Sequence, residues 1–440
     1  MRKFGTYAIL IYFLIPATFL LFNCGGGGGS GDSVAPIALV SVSSGGDEGN
    51  VESDEPVLSF NGRYVAFYTD SSNLVSDDTN GTTDVFIRDM DLGITSRVSV
   101  STAGSGGNTY SSDAAISFDG RYVVFYSGAT NLVPGDNNNS ADIFLRDTVD
   151  EITSLVTVST AGTLANNNSG DPAISGDGRH VAFYSPATNL VQDDINGHDD
   201  IFVHNTVSGI TSLVSVSTAG TQGNNDSYDP AMSSDGRYVA FTSDSTNLVP
   251  NDTNAPLRDI FVRDTVNEIT SLVSVSTAGT QTNDYSINPT INSDGRYVAF
   301  QSAAWNLVPN DNNNSTDIFI HDTATSTTSR VSVNSAGEEA NSDSEFPTIS
   351  SDGRYVAFYS YATNLVPDDN NNSKDVFVHD TVTGTTSRAS LSTTGEEIKE
   401  GEYPSISPDG RYVAFKSNAV DLIEGETLSG IGHLFRAPRP

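Results

Sequence analysis

An all-β fold, a seven-bladed β-propeller of four-stranded antiparallel blades, is what this 440-residue chain predicts. Three observations carry that prediction. A unit of about 58 residues recurs seven times, each unit contains four strand-like runs, and a lone strand near the N-terminus completes the last unit. The repeat is marked by a Gly-Arg-Tyr/His step at Gly62, Gly120, Gly178, Gly236, Gly295, Gly353 and Gly410, with intervals of 58, 58, 58, 59, 58 and 57 residues. Short strands recurring at this period are the signature of sheets repeated radially around an axis.

The fourth unit illustrates the elements. Asp229 to Ser233 is a short strand that runs into Ser234-Asp235-Gly236-Arg237. Asp-Gly between apolar runs marks a hairpin, because glycine accepts positive φ without a steric penalty. Tyr238 to Ser243 is the second strand, β-branched and aromatic, and Asp259 to Asp264 is the third. Thr265 to Thr270 reads as a turn and Ser271 to Ser276 as the fourth strand. Partly apolar faces on both sides suit sheets stacked between similar sheets.

The chain ends predict how the ring closes. The last unit supplies Pro404 to Ser407, Arg411 to Lys416 and His433 to Arg436 and lacks a fourth strand. Ala38 to Ser43 matches the Ser-Leu-Val-Ser-Val-Ser segments and is expected to fill that place, removing an exposed sheet edge.

The residues Pro-x-Ile-Ser-x-Asp-Gly-Arg-Tyr-Val-Ala-Phe, at Pro347 to Phe358 and Pro404 to Phe415, resemble the WD40-like propeller repeats of the TolB family. Asp375 to Thr381 continues the match, and the resemblance covers essentially residues 36 to 440. It implies a periplasmic or surface propeller that binds other macromolecules. The separate N-terminal α/β domain of TolB is not expected here.

Residues 1–23 read as a signal peptide, with Arg2 and Lys3 ahead of an apolar stretch. Leu21-Phe22-Asn23-Cys24 resembles the lipobox of bacterial lipoproteins, although Asn23 stands where a small residue is usual. Cys24 is then the lipidation site, residues 24–35 a Gly-rich tether and 36–440 the propeller, placing the protein in the bacterial cell envelope and on a membrane through its lipid anchor only. Cys24 is the only cysteine, so no disulfide is expected. With 55 acidic against 21 basic residues and a net charge of −34, nucleic acid is an unsuitable partner and cations are favoured.

Strand order puts two short turns of each blade on one face. The two long connections, rich in Asn, Asp, Ser and Gly, fall on the other, where binding residues are expected. Six second-to-third loops share an Asp-x-Asn step followed by an Asp that opens the next strand. These candidate calcium loops are Asp78/Asn80/Asp84, Asp136/Asn138/Asp142, Asp194/Asn196/Asp200, Asp252/Asn254/Asp259, Asp311/Asn313/Asp317 and Asp369/Asn371/Asp375. Alternating oxygen donors suit Ca²⁺, while the same residues also make side-chain turns and cap strand amides. Glu55, Asp113, Asp171, Asp229 and Asn288 precede the innermost strands of five consecutive blades and are expected at the channel mouth. Trp305 replaces the Ser or Thr that other units carry at this place, such as Thr130, Thr188, Thr246 and Thr363, either as a binding aromatic or as a gap filler.

Arg63, Arg121, Arg179, Arg237, Arg296, Arg354 and Arg411 occur once per blade and are expected to pair with the Asp ending the third strand. His204, His321 and His379 share a position held elsewhere by Arg, which reads as structural exchange. No nucleophile elbow or zinc pattern appears, and no catalytic residue is assigned. The expected function is a non-catalytic scaffold binding a protein or glycan at the loop-rich face, with calcium as its suggested cofactor. The alternative is a carbohydrate-active propeller enzyme, a glycan lyase or hydrolase.

Overall fold

The computed structural model describes residues 37–254 and 256–440. Cys24 and the segments assigned to signal peptide and tether lie outside these residues. Seven four-stranded antiparallel sheets form the ring, and there is no helix among the described residues. Blades 1 to 6 span residues 53–97, 111–155, 170–213, 227–272, 286–330 and 344–388. Blade 7 takes its inner three strands from 402–438 and its outermost from Ala38–Leu39, which pairs antiparallel with His433–Pro438. The chain thus closes its own ring, as the lone N-terminal strand predicts.

Each blade is built on the same cross-strand pair. A Phe of the second strand lies opposite a Phe of the third, as Phe67 opposite Phe86, and both are fully buried. Ring centroids in the seven pairs are 5.8 to 6.1 Å apart. Alternation puts these rings between sheets, with the Val-Ala-Phe step of the second strand wholly buried on both faces.

The outer strand differs from the sequence expectation. In blade 4 it is Ile269–Leu272 rather than Ser271 to Ser276, so Ile269 and Thr270 belong to the ladder and not to the turn. Beyond Leu272 the ladder ends. Ser274 donates to Asp259 at 2.6 Å and Val275 bridges to Gln281, which turns the chain toward the next blade. Val42 repeats this behaviour by bridging to Glu48, so the closing strand is likewise only Ala38–Leu39.

The inner strand carries a bulge in every blade, seen as a register shift such as that between Asp54 and Val57. The residue at the bulge has positive φ in all seven blades: Glu55, Asp113, Asp171, Asp229, Asn288, Phe346 and Tyr403, between 46° and 53°. Re-aiming one side chain is the usual consequence of a bulge. Here it turns seven side chains toward one channel mouth.

Neighbouring blades meet at the Asp-Gly-Arg turn. Gly120 has φ of 75°, and a Cβ there would lie 2.2 Å from the Tyr64 ring of the preceding blade. Gly162 has a similar φ of 78° with nothing within 4 Å of its Cβ position. Gly162→Ala is therefore expected to lose about 1 kcal/mol, the conformational term alone. Gly120→Ala adds the clash and is expected to lose about 2–4 kcal/mol. Equilibrium urea denaturation of the two variants measures the difference, and equal losses would contradict the contact.

Candidate functional site

The seven bulge positions give the loop-rich end of the channel a divided character. Blades 1 to 4 present Glu55, Asp113, Asp171 and Asp229, blade 5 presents Asn288, and blades 6 and 7 present Phe346 and Tyr403. All but Asp113 border a cavity of about 350 Å³. Phe346 stacks on Tyr359 with centroids 5.6 Å apart and meets Tyr403 edge-on at 5.6 Å. Asn288 donates to Gln301 at 3.2 Å, and Gln301 accepts the Phe346 amide at 2.9 Å. Below the mouth the channel is lined by small uncharged side chains such as Ala115, Ala173, Ala231 and Thr348.

The four carboxylates form no ion pair among the described residues, whereas nearby Lys416 pairs with Asp54 and Glu52, and Lys374 with Glu402. They are half-buried, yet enclosed by protein on most sides. Burial, reinforced by the Asp113 carboxylate, pushes Glu55 up to about 7. Burial, reinforced by Asp229, pushes Asp171 up to about 7 as well. Burial also raises Asp113, and Asp229 despite the Thr242 hydroxyl that donates to it at 2.9 Å. The mouth therefore gathers four carboxyl groups without an ion pair, Asp229 being eased by the more distant Arg258 charge.

The Asp-x-Asn loops lie on the same face, and their hydrogen bonds show two different roles. The Asn makes a side-chain turn: Asn138 accepts the Ser140 amide at 3.1 Å and donates to Asp142 at 2.9 Å and to the Ala165 carbonyl at 3.1 Å. Asp142 also accepts Thr157 Oγ1 at 2.5 Å. The same scheme holds around Asn80, Asn196, Asn313 and Asn371. Turn chemistry thus explains the Asn and the last Asp. The first Asp also serves the turn by taking the amide of the Asn two residues on, in blades 1 to 4, and in blades 1, 5 and 6 it meets an arginine of the outer strand, namely Arg97, Arg330 and Arg388. In those three loops a guanidinium takes the position that the sequence reading reserved for calcium. The cluster of Asp369, Asp375 and Glu397 has its cation in Arg388, 2.6 Å from Glu397.

Trp305 fills no gap, being 63% exposed. In four blades the equivalent Thr clasps an Asn, as Asn108 Nδ2 to Thr130 Oγ1 at 3.0 Å with the Thr130 amide returned to Asn108 Oδ1 at 3.0 Å. Trp305 removes that clasp and leaves Asn283 Oδ1 buried without a partner. An exposed indole gained against a lost hydrogen bond favours a contact outside the chain.

The turn-face residues are structural, as expected. Arg63, Arg121, Arg237, Arg296 and Arg354 pair with Asp89, Asp147, Asp264, Asp322 and Asp380 at 2.6 to 2.8 Å. Arg179 and Arg411 differ because Asn205 and Pro438 stand where the Asp would be, and they turn to Asp177 and Asp409. His204, His321 and His379 bond Thr211, Thr328 and Thr386 at 2.8 to 2.9 Å, as Arg146 bonds Thr153 at 3.1 Å.

Because Glu55 and Asp171 are raised above unfolded values near 4, their protonated forms stabilise the ring fully below about pH 4, and this contribution is lost as pH rises through 7. Glu55→Gln and Asp171→Asn are therefore expected to raise stability at pH 8, each on the order of 3 kcal/mol, and to leave it nearly unchanged at pH 4. Urea denaturation at the two pH values is the measurement, and equal gains at both would refute the titration.

No family model and no curated protein matches the chain. Among solved structures it is similar to oligogalacturonate lyase from Vibrio parahaemolyticus, at 11% identity over 93% of this chain and 95% of that one, with a TM-score of 0.54. The β-propeller domain of the Trilobed protease from Pyrococcus furiosus is similar at 11% identity over 88% and 95%, with a TM-score of 0.51. TolB from Acinetobacter baumannii is similar at 14% identity over 86% and 80%, with a TM-score of 0.40. At such identities a shared fold carries no activity with it. The chain is a seven-bladed β-propeller, and its work must be read from its own loop-rich face.

Proposed function

We propose that this propeller is a non-catalytic binding module of the bacterial cell envelope, tethered through Cys24, that receives a basic segment of a protein partner at its channel mouth. The divided mouth is the observation that carries this reading. Four carboxyl groups without an ion pair share the mouth with a stacked aromatic group, which suits a lysine or arginine side chain with its apolar stem. The net charge of −34 steers cationic partners toward the protein. Exposed Trp305 on the same face supplies a further anchor. A lysine-rich peptide is expected to bind the full-length protein in a salt-sensitive manner. Combined Glu55→Gln, Asp171→Asn and Asp229→Asn substitution is expected to weaken that binding at least ~10-fold, the scale of one lost buried charge contact. Fluorescence anisotropy measures it, and unchanged affinity in the triple variant would overturn the reading.

A second reading is favoured by one observation, the two carboxyl groups near 7 in one mouth, which is where acid–base catalysts operate. It makes the protein a glycan-active enzyme. A polyuronate would be repelled by the acidic arc, so a neutral or amino sugar polymer is the substrate class. Turnover of such a glycan that is abolished by Glu55→Gln would establish this reading over the first.

A further inference from the structure

The six Asp-x-Asn loops divide by the residue that faces them from the outer strand. That residue lies opposite the second Phe of the blade, and it is Arg97, Arg330 or Arg388 in blades 1, 5 and 6. It is Leu155, Leu213 or Leu272 in blades 2, 3 and 4. Where arginine is present, Nη1 lies between the first and last carboxylates, although in blade 6 it stands 3.6 Å from Asp369, whose two oxygens make no hydrogen bond, and 3.4 Å from Asp375. Arg97 Nη1 is 3.4 Å from both Asp78 and Asp84, and Arg330 Nη1 is 3.2 Å from Asp311 and 3.0 Å from Asp317. The other terminal nitrogen, Nη2, donates to the carbonyl preceding the first Asp, at 3.1 Å to Asp77 and 2.9 Å to Asp368. Blade 1 even makes room for the guanidinium, since a Cβ on Gly106 would lie 2.8 Å from Arg97 Nη1.

Blades 2, 3 and 4 keep the carboxylates and lose the cation. Asp136 Oδ1, Asp194 Oδ1 and Asp252 Oδ1 are buried without any hydrogen-bond partner, and Asp136 and Asp194 are only 9% and 6% exposed. Blade 4 adds two more such oxygens, Asp259 Oδ2 and Asn254 Oδ1. Asp259 is 1% exposed, and the residue two beyond Asn254 is Pro256, which has no N–H to offer in place of the Ser140 or His198 amide. In blades 3 and 4, Gln222 and Gln281 replace only the second arginine contact, donating to the Asp193 and Asn251 carbonyls at 3.0 and 2.9 Å. A neutral amide supplies that hydrogen bond and no positive charge. Two buried carboxylates with no counter-charge are strongly destabilising.

We propose that blades 2, 3 and 4 each bind a hard cation, Ca²⁺, between the first and last aspartates of this loop, at the place the arginine guanidinium fills in blades 1, 5 and 6. The donors are all oxygen, which excludes soft metals, and a divalent charge balances the carboxylate pair. The argument is independent of what the channel mouth binds.

Calcium titration of the full-length, EDTA-stripped protein, followed calorimetrically with Mg²⁺ and Na⁺ controls, tests this. Three calcium ions per chain are expected, with a rise in thermal unfolding temperature. Asp136→Asn, Asp194→Asn and Asp252→Asn are each expected to lower the count by one. Leu272→Arg combined with Gln281→Glu copies the blade 5 and 6 arrangement. It is expected to lower the count by one without loss of stability in EDTA, which separates a filled site from a misfolded one. Arg330→Leu with Glu339→Gln is expected to raise the count by one. No calcium binding, a response to Na⁺ alone, or a count indifferent to these changes would overturn the proposal.

Discussion

The ring depends on one aromatic side chain per blade seated against the glycine of the next. Tyr64 covers Gly120, Tyr122 covers Gly178, and the series continues until Tyr412 covers Gly62 and closes the circle. The glycine serves two constraints at once: the turn requires φ near +75°, and the neighbour's ring leaves no volume for a Cβ. The arginine that follows then lies over the tyrosine that follows it, as Arg63 does 4.9 Å from the Tyr64 centroid, while it grips Asp89 at 2.7 Å. Turn, stacking and ion pair are thus one unit. Blade 3 shows the coupling by changing several parts together: His180 replaces the tyrosine, contacts Asn205 in place of an aspartate, and leaves Arg179 with Asp177.

That unit divides the molecule electrostatically. On the short-turn face, arginine and backbone amides hold Asp89, Asp264, Asp322 and Asp380 below the ordinary carboxylate range, so their charge supports the fold. On the loop-rich face, burial raises Glu55, Asp171, Asp142 and Asp252. Acids of one composition therefore stabilise one end of the ring and are held at a disadvantage at the other. Such a disadvantage persists where an external partner compensates it, and perturbed groups gather at functional sites for this reason. The inner-strand bulge is common to all blades, so it is architecture; the choice of acid in four blades and of aromatic in two is what gives the mouth its chemistry.

The fold was legible in the residues because its signals are local. Alternating Val, Phe and Tyr, Asp-Gly turns and the spacing of Gly62 to Gly410 depend on neighbours within a few positions. The arginine pairing was legible for the same reason of repetition, and its two exceptions follow from Asn205 and Pro438. The outer strand starts two residues earlier and ends four residues earlier than its sequence suggests, because Ser-Leu-Val-Ser-Val-Ser has strand composition throughout. Only the side-chain bond from Ser274 to Asp259 shows where the ladder stops.

The candidate site was legible as positions and not as chemistry. Sequence alone determined seven blades, their closure and the face on which Asp136, Glu55 and Trp305 lie, since period and strand order suffice for these. It treated six Asp-x-Asn loops as equivalent. Tertiary structure separated them, because the deciding residue, Arg97 in one blade and Leu155 in the next, lies 19 positions beyond the first aspartate and meets it only when the outer strand folds alongside. It likewise brought Glu55 within reach of the charges of Asp113 and Asp171, one and two blades away around the channel and far apart in sequence. Charge compensation depends on distance in space and on burial, and neither is written in the local pattern of residues.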